Sequence, residues 1–380
     1  MNGDFYKKFR EKAYRYETKS GDNIALFTLK MIAWLVKGCL FYRGKRGEPS
    51  GGYRVALRFS GGVGDMVINA LYAQQLRAKT GARVDIYSDK KEILDGIFLN
   101  KNFGIYNSAV DVSKYDAVIF ITRFPTVESL SSRILKTESP LSQYLRQLID
   151  AANANTFMLQ TGVVFDFAGM EYSKRLGKNR YTQADFSGAL QMQGAKFEIE
   201  CALDETFVRN KFGLGEGKYI TIQRGSKTGT TDTKLLSNDA YARLVKKIKS
   251  LLPEMKIVQL GRRGVDPIGG VDTDLRGDTS FEELKGLLKY SVAHVDCECG
   301  MVHLKHGLGG KSLVFFGPTD IEFYAYAENI NICSDACKAC EWLTKNWGDK
   351  CLRGFDTPPC MAEIDIDAAA QHLKEALQAR

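Results

Sequence analysis

Two rhythms of apolar residues run through this chain. Short, mostly apolar runs at 55–59, 83–87, 116–122, 219–223, 257–261, 292–296 and 312–316 read as buried strands. Between them, apolar residues recur at helical spacing. Val63, Val67, Ala70 and Leu71 share one face, as do Leu141, Tyr144, Leu145 and Leu148. The stripe Tyr241, Leu244, Val245, Ile248, Leu251 and Leu252 follows a capping Ser237, and Phe281, Leu284, Leu287 and Leu288 follow a capping box of Ser280 and Glu283. Residues 197–201 read as the strand that leaves the first half. Strand alternating with helix predicts an α/β fold with parallel sheets, and the design appears twice. Each half has a glycine turn at a strand's C-terminal end, where open α/β sheets bind ligands, so two facing halves predict a cleft between them. The expected division is 1–52, a basic N-terminal helical segment, then 53–203 and 204–380, two α/β domains.

Composition narrows the class. A length of 380 residues fits two to three domains, and an apolar fraction of 44% fits a globular chain. A net charge of +8 is too mild for a dedicated nucleic-acid binder, but it suits anionic substrates or a membrane surface. The odd count of nine cysteines, five of them between 333 and 360, argues for a reduced compartment rather than a disulfide framework. No secretory signal is apparent. Residues 23–42 are apolar nearly all round, with Lys30 and Lys37 in one stripe. That stripe makes a spanning helix costly and leaves two main readings, an interfacial helix or one packed on the first domain or a partner subunit. The basic linker after it is suited to touch lipid headgroups.

Candidate chemistry collects at the turns. Ser60-Gly61-Gly62-Val63-Gly64-Asp65 follows the first strand, and its carboxylate sits where a helix N-terminus favours the anion. Asp65 would repel a phosphate lying there, so it suits a general base, or else merely supports its own helix. In the second half, Arg224-Gly225-Ser226-Lys227-Thr228-Gly229 is basic and hydroxyl-rich, as phosphate loops are, without the Walker order. Lys234 closes it. Turns after Gln223, Asp296 and Phe316 converge with helix N-termini, the chemistry for holding a diphosphate. Lys174, Arg175, Lys178 and Arg180 form a solvated loop or a contact to an anionic acceptor. Cys337, Cys340, Cys351 and Cys360 can close a tetrahedral thiolate site for zinc or iron; free thiols or a disulfide pair are the alternatives.

These motifs, in this order, resemble the family 9 glycosyltransferases: the ADP-heptose-using heptosyltransferases of lipopolysaccharide cores and their relatives that glycosylate autotransporter proteins. The resemblance rests on Gly62-Val63-Gly64-Asp65, Lys234, the 277–284 segment, Glu298-Cys299-Gly300-Met301-Val302-His303-Leu304 and Phe316-Gly317-Pro318-Thr319-Asp320, and covers Arg54 to the C-terminus. It implies the GT-B arrangement and inverting sugar transfer from a nucleotide diphosphate donor, ADP-heptose-like, without a catalytic metal. The acceptor would be an anionic, lipopolysaccharide-type glycan or a protein, met in the cytoplasm or at the inner face of the membrane by a monomer or a homo-oligomer. By position, Asp65 is the base and Lys234 stabilises the departing diphosphate. Arg224, Lys227, Glu298, Gly300, Met301, His303, Gly317, Pro318 and Thr319 would line the donor. Some relatives carry a similar cysteine cluster as an iron-binding motif that supports assembly. Where the family often has Asp-Ser/Thr-Gly, this chain has Glu298-Cys299-Gly300. Two rivals are a non-catalytic nucleotide-sugar or glycan-binding module and a nucleotide-dependent oxidoreductase; the latter lacks a GxGxxG turn and its ribose acid.

Overall fold

The computed structural model describes residues 52–155, 163–225 and 232–379. The apolar segment 23–42, its basic linker and Lys227 lie outside the described residues. Among those described, no helix is long and apolar enough to cross a membrane.

The first sheet is built from β1 (Arg54–Phe59), β2 (Arg83–Tyr87), β3 (Gly104–Tyr106), β4 (Ala117–Ile121) and β5 (Pro125–Leu130), in the order β3-β2-β1-β4-β5. The first four run parallel, and β5 returns antiparallel on the β4 edge. Helix α1 (Val63–Thr80) lays Met66, Val67, Ala70 and Leu71 against Val55, Leu57 and Phe59. Helix α2 (Lys91–Ile97) follows β2. Helix α3 (Pro140–Ala154) starts with proline at its first position and a Ser139–Ser142 capping box, and it buries Leu141, Tyr144, Leu145 and Leu148 as the spacing predicts. Helix α4 (Val163–Arg175) then leads towards the second half.

The second sheet contains β6 (Tyr219–Gln223), β7 (Lys256–Leu260), β8 (Thr273–Asp274), β9 (Ala293–Cys297), β10 (Ser312–Phe316) and β11 (Ile330–Cys333). All pair in parallel, in the order β11-β10-β9-β6-β7-β8. Four of them, β6, β7, β9 and β10, are covered on both faces, which is why they appear in sequence as apolar runs. Helices α5 (Asn238–Leu251) and α6 (Phe281–Tyr290) begin at the expected caps, Ser237 and Ser280. Helix α7 (Gly300–Gly307) follows β9 and packs against α1 of the first half. Helix α8 (Ile366–Gln378) closes the chain on α5.

Residues 197–201 depart from the expected strand. They are extended but join no sheet: the Ile199 N–H donates to the Gly307 carbonyl at 2.8 Å. Next to them, the buried Lys285 donates from Nζ to the carbonyls of Gly96 (2.8 Å) and Glu200 (2.7 Å), and it pairs with Glu282. One ammonium thus fastens α6 to the first half and to the crossing segment.

Candidate functional site

The two halves meet where their glycine turns meet. β1 ends in the turn before α1, and Gly61 takes φ +120°, a conformation that side chains rarely adopt. Glycine is also required by close approach. A Cβ on Gly64 would stand 2.5 Å from His303 Cδ2, and one on Gly300 would stand 3.0 Å from the Gly64 nitrogen. The first turn of α1 therefore lies against the first turn of α7, one from each sheet.

Asp65 sits in that first turn, and its side chain is one-third exposed. Its Oδ2 accepts the Gly62 N–H at 2.7 Å, so it does support its own helix. Its Oδ1 accepts from Arg180 Nη2. Arg180 is buried, and its backbone N–H donates to the Phe323 carbonyl at 2.9 Å. The basic cluster is therefore not the solvated loop that its composition suggests. Lys174 reaches Asp320 Oδ2 (2.6 Å) and Glu171 (2.8 Å), and only Arg175 is left exposed. A second arginine, Arg123, pairs with Asp166 and lies over Trp342. Burial, together with the nearby Arg180 charge, pushes Arg123 down to about 10.

On the opposite side, Lys234 Nζ donates to the Glu298 carbonyl at 2.8 Å and to Glu298 Oε2 at 3.2 Å. Glu298 Oε1 lies 3.2 Å from His303 Nε2, and His303 Nδ1 lies 3.2 Å from the Tyr326 hydroxyl. Burial by itself would raise the Glu298 carboxyl, but Lys234 and His303 outweigh it and hold the acid at about 2. Burial would likewise lower Lys234, and Glu298 reverses that as well. Both groups are thus charged, and the lysine is fixed beside the positive end of α7.

The other expected donor residues are distributed as follows. Arg224 reaches Asp266 at 3.1 Å. Met301 packs against the apolar cluster that the two halves share. The Cys299 thiol donates inwards to Asp296 Oδ2 at 2.7 Å, so the replaced hydroxyl position is part of a buried network. Gly317 lies against Cys360 and Met361, where a Cβ would come within 2.4 Å of the Met361 sulfur. The Pro318 carbonyl accepts the Glu341 N–H at 2.9 Å, and the buried Thr319 hydroxyl has no partner.

The four cysteines are drawn together beneath that turn. Burial and the nearby thiols of Cys337, Cys340 and Cys351 push Cys360 up to about 12, and it shares a hydrogen bond with Cys337. All the described cysteines are free. Among the described residues, no group of three or more His, Cys, Asp or Glu side chains is arranged to hold a metal ion. Sequence reasoning missed Arg123, Tyr326 and Glu341, and it singled out Arg180 only within a basic cluster, without its pairing to Asp65. Glu341 is fully buried; its Oε1 accepts the Asp320 N–H at 3.2 Å, its Oε2 has no partner, and burial pushes it up to about 8. These three lie in segments that lack periodicity, which leaves no sequence signal for them.

Chemically, the arrangement offers a carboxylate with lone pairs to spare, two arginines beside it, and a cation with a helix N-terminus across the contact.

Comparison with protein-family models finds no match, and comparison with curated proteins finds none either. Among solved structures, the chain is similar to the iron-containing dodecameric glycosyltransferase TibC from enterotoxigenic E. coli H10407, with 12% identity over 86% of this chain and 79% of that one and a TM-score of 0.61. It is similar to TibC in complex with ADP-D-beta-D-heptose, with 13% identity over 86% and 77% and a TM-score of 0.58. A third likeness is to E. coli ADP-heptose lps heptosyltransferase II, with 13% identity over 86% and 99% and a TM-score of 0.55. At such identities the likeness is one of fold. The chain has the GT-B fold, two Rossmann-like parallel-sheet units across a cleft, as the motifs led one to expect.

Proposed function

We propose that this protein is an inverting glycosyltransferase that moves a heptose-like sugar from a nucleotide diphosphate, ADP-heptose or a close analogue, to an anionic glycan or a protein. The observation that carries this reading is the contact of Gly64 with His303 and Gly300. It brings the acid of one sheet next to the cationic turn of the other. Asp65 would take the proton of the acceptor hydroxyl as that oxygen attacks the anomeric carbon from the face opposite the diphosphate. The bond to the diphosphate breaks, and its growing negative charge falls near Lys234 and the start of α7, where fixed positive charge lowers the barrier. The net charge of +8 favours an acceptor that carries phosphate or carboxylate. The TibC complex and the heptosyltransferase support the choice of ADP-heptose as the first donor to test. We place the reaction in the cytoplasm, at the inner face of the membrane if the segment 23–42 meets lipid.

By donor chemistry alone, four soft thiols near one another suit a structural zinc or iron, although as they stand they are not arranged to hold one. Cys337, Cys340, Cys351 and Cys360 would hold the ion. It would supply rigidity there, with no part in the reaction, because four thiolates leave no open position.

The test is a thermal-shift screen against ADP, UDP, GDP, CMP, NAD and NADP, followed by transfer assays with the sugar form of the nucleotide that binds. A ligand that binds only the folded state raises the melting temperature by mass action. A selective shift with ADP supports the reading. A shift with UDP or GDP changes the donor, and a shift confined to NAD or NADP overturns the transferase.

A further inference from the structure

We propose that Arg180 is a positioning residue that aligns Asp65 and makes that alignment depend on the loop after β10. The proposal rests on the transferase reading of Asp65 as the base. Asp65 belongs to the first sheet, yet the arginine that holds it is anchored on the second. The Arg180 backbone donates to the Phe323 carbonyl at 2.9 Å, and the next residue, Tyr181, donates its hydroxyl to the Tyr324 carbonyl. The Tyr181 ring stacks on Tyr326, with centroids 4.0 Å apart, and Lys174 adds an ion pair to Asp320 at 2.6 Å. Residues 174–181 thus form a strap from α4 onto residues 320–326 of the other half.

The strap also touches the candidate donor side. Tyr326 meets His303, which meets Glu298, which holds Lys234. An unbroken row of contacts therefore joins the cation near the leaving group to the carboxylate near the acceptor. Arg180 is where that row reaches the base. Asp65 Oδ2 is fixed by the Gly62 N–H and Oδ1 by the guanidinium, so together they set the plane of the carboxylate. The lone pair left on each oxygen is then held in that fixed plane, where an attacking hydroxyl can meet it in a defined orientation. A lysine at 180 would keep the charge but lose the planar fork that fixes this orientation.

The experiment compares wild type, Arg180→Lys and Arg180→Ala in three readouts: kcat and KM in the transfer assay, the nucleotide-induced thermal shift, and amide hydrogen exchange across residues 60–66. Arg180→Ala should lower kcat by about a hundredfold, the cost of a misplaced catalytic group, with the nucleotide shift retained. Exchange at 60–66 should rise, and added guanidinium ion should recover part of kcat. Arg180→Lys should keep both KM values and still fall well short of wild-type kcat. Unchanged exchange at 60–66 in Arg180→Ala, or a loss carried wholly by nucleotide binding, overturns the proposal. The exchange readout needs no turnover, so a wild type that transfers no sugar refutes the transferase while the coupling of Arg180 to the turn is still decided.

Discussion

Replacing Lys234 separates the electrostatic role of this side chain from the catalytic one proposed for it. The lysine sits across from a turn suited to a departing diphosphate, and it also neutralises the buried Glu298. Holding that acid at about 2 instead of 4.5 is worth about 3 kcal/mol at 1.36 kcal/mol per pH unit. That agrees with the roughly 3–5 kcal/mol lost when one partner of a buried pair is removed. Lys234→Met should therefore lower the melting temperature by roughly 6–12 °C for a domain of about this size. The pH dependence follows from the sign. A depressed acid contributes stability above its unfolded value of 4.5, and this is lost as pH falls towards 2. Without the lysine, burial favours the neutral acid, so the variant gains stability as pH falls from 7. The gap to wild type should be full at pH 7 and narrow towards pH 5. The double variant Lys234→Met/Glu298→Gln removes both charges and should recover most of the stability, because replacing a whole buried pair is nearly neutral. Turnover should remain about a hundredfold or more below wild type in both variants, the scale of losing one charge-stabilising group. The assay is thermal denaturation at pH 5 and 7 alongside initial rates. A gap independent of pH, or a double variant no more stable than the single, would refute the electrostatic account. Near-normal turnover in either variant would remove Lys234 from the site.

Asp65→Asn keeps the shape and the Gly62 contact but cannot take a proton; transfer should fall by about 10²–10⁴-fold while the nucleotide thermal shift persists, and a lost shift would sink the base assignment. Gly64→Ala should cost about 1–3 kcal/mol of stability through its clash with His303, and should weaken nucleotide binding with it; denaturant titration and the thermal shift check both, and a fully stable variant would mean the halves meet elsewhere. Protein purified anaerobically should carry about one zinc or iron per chain by elemental analysis, and Cys337→Ser should lose it; metal-free, fully stable wild type would leave the cluster as free thiols.

The sequence was most readable where burial is two-sided. Strands 83–87, 219–223 and 312–316 have the bounds that their apolar runs predict, and 292–296 is off by one residue. The antiparallel β5 escaped because Pro125-Thr126-Val127-Glu128-Ser129-Leu130 sits at an edge, where alternation is weak and proline is tolerated. β11 and β8 are short edges of the same kind. Residues 197–201 look like a strand because they are apolar and alternate, but their partner is a helix end. Within the site, Asp65 was legible because strand, glycine turn and acid are adjacent in sequence. Arg180 was not, because its partner lies 115 residues away and its neighbours read as solvated. Glu341 is surrounded by cysteines and aromatics, with no period to show that it turns inwards.

The meeting of Gly64 and Gly300 has a mechanical consequence. Two helix ends that meet at glycines, with only His303 and Val63 side chains against them, would serve as a fulcrum for any opening, since neither half can press closer there. Any widening of the cleft to admit substrate must then swing its rim and leave the pivot in place. The lever arm from pivot to Asp65 is one residue long, so its carboxylate would barely move while the mouth opens. A position with no room for added bulk would thus be the one that keeps the acid still through each cycle of opening.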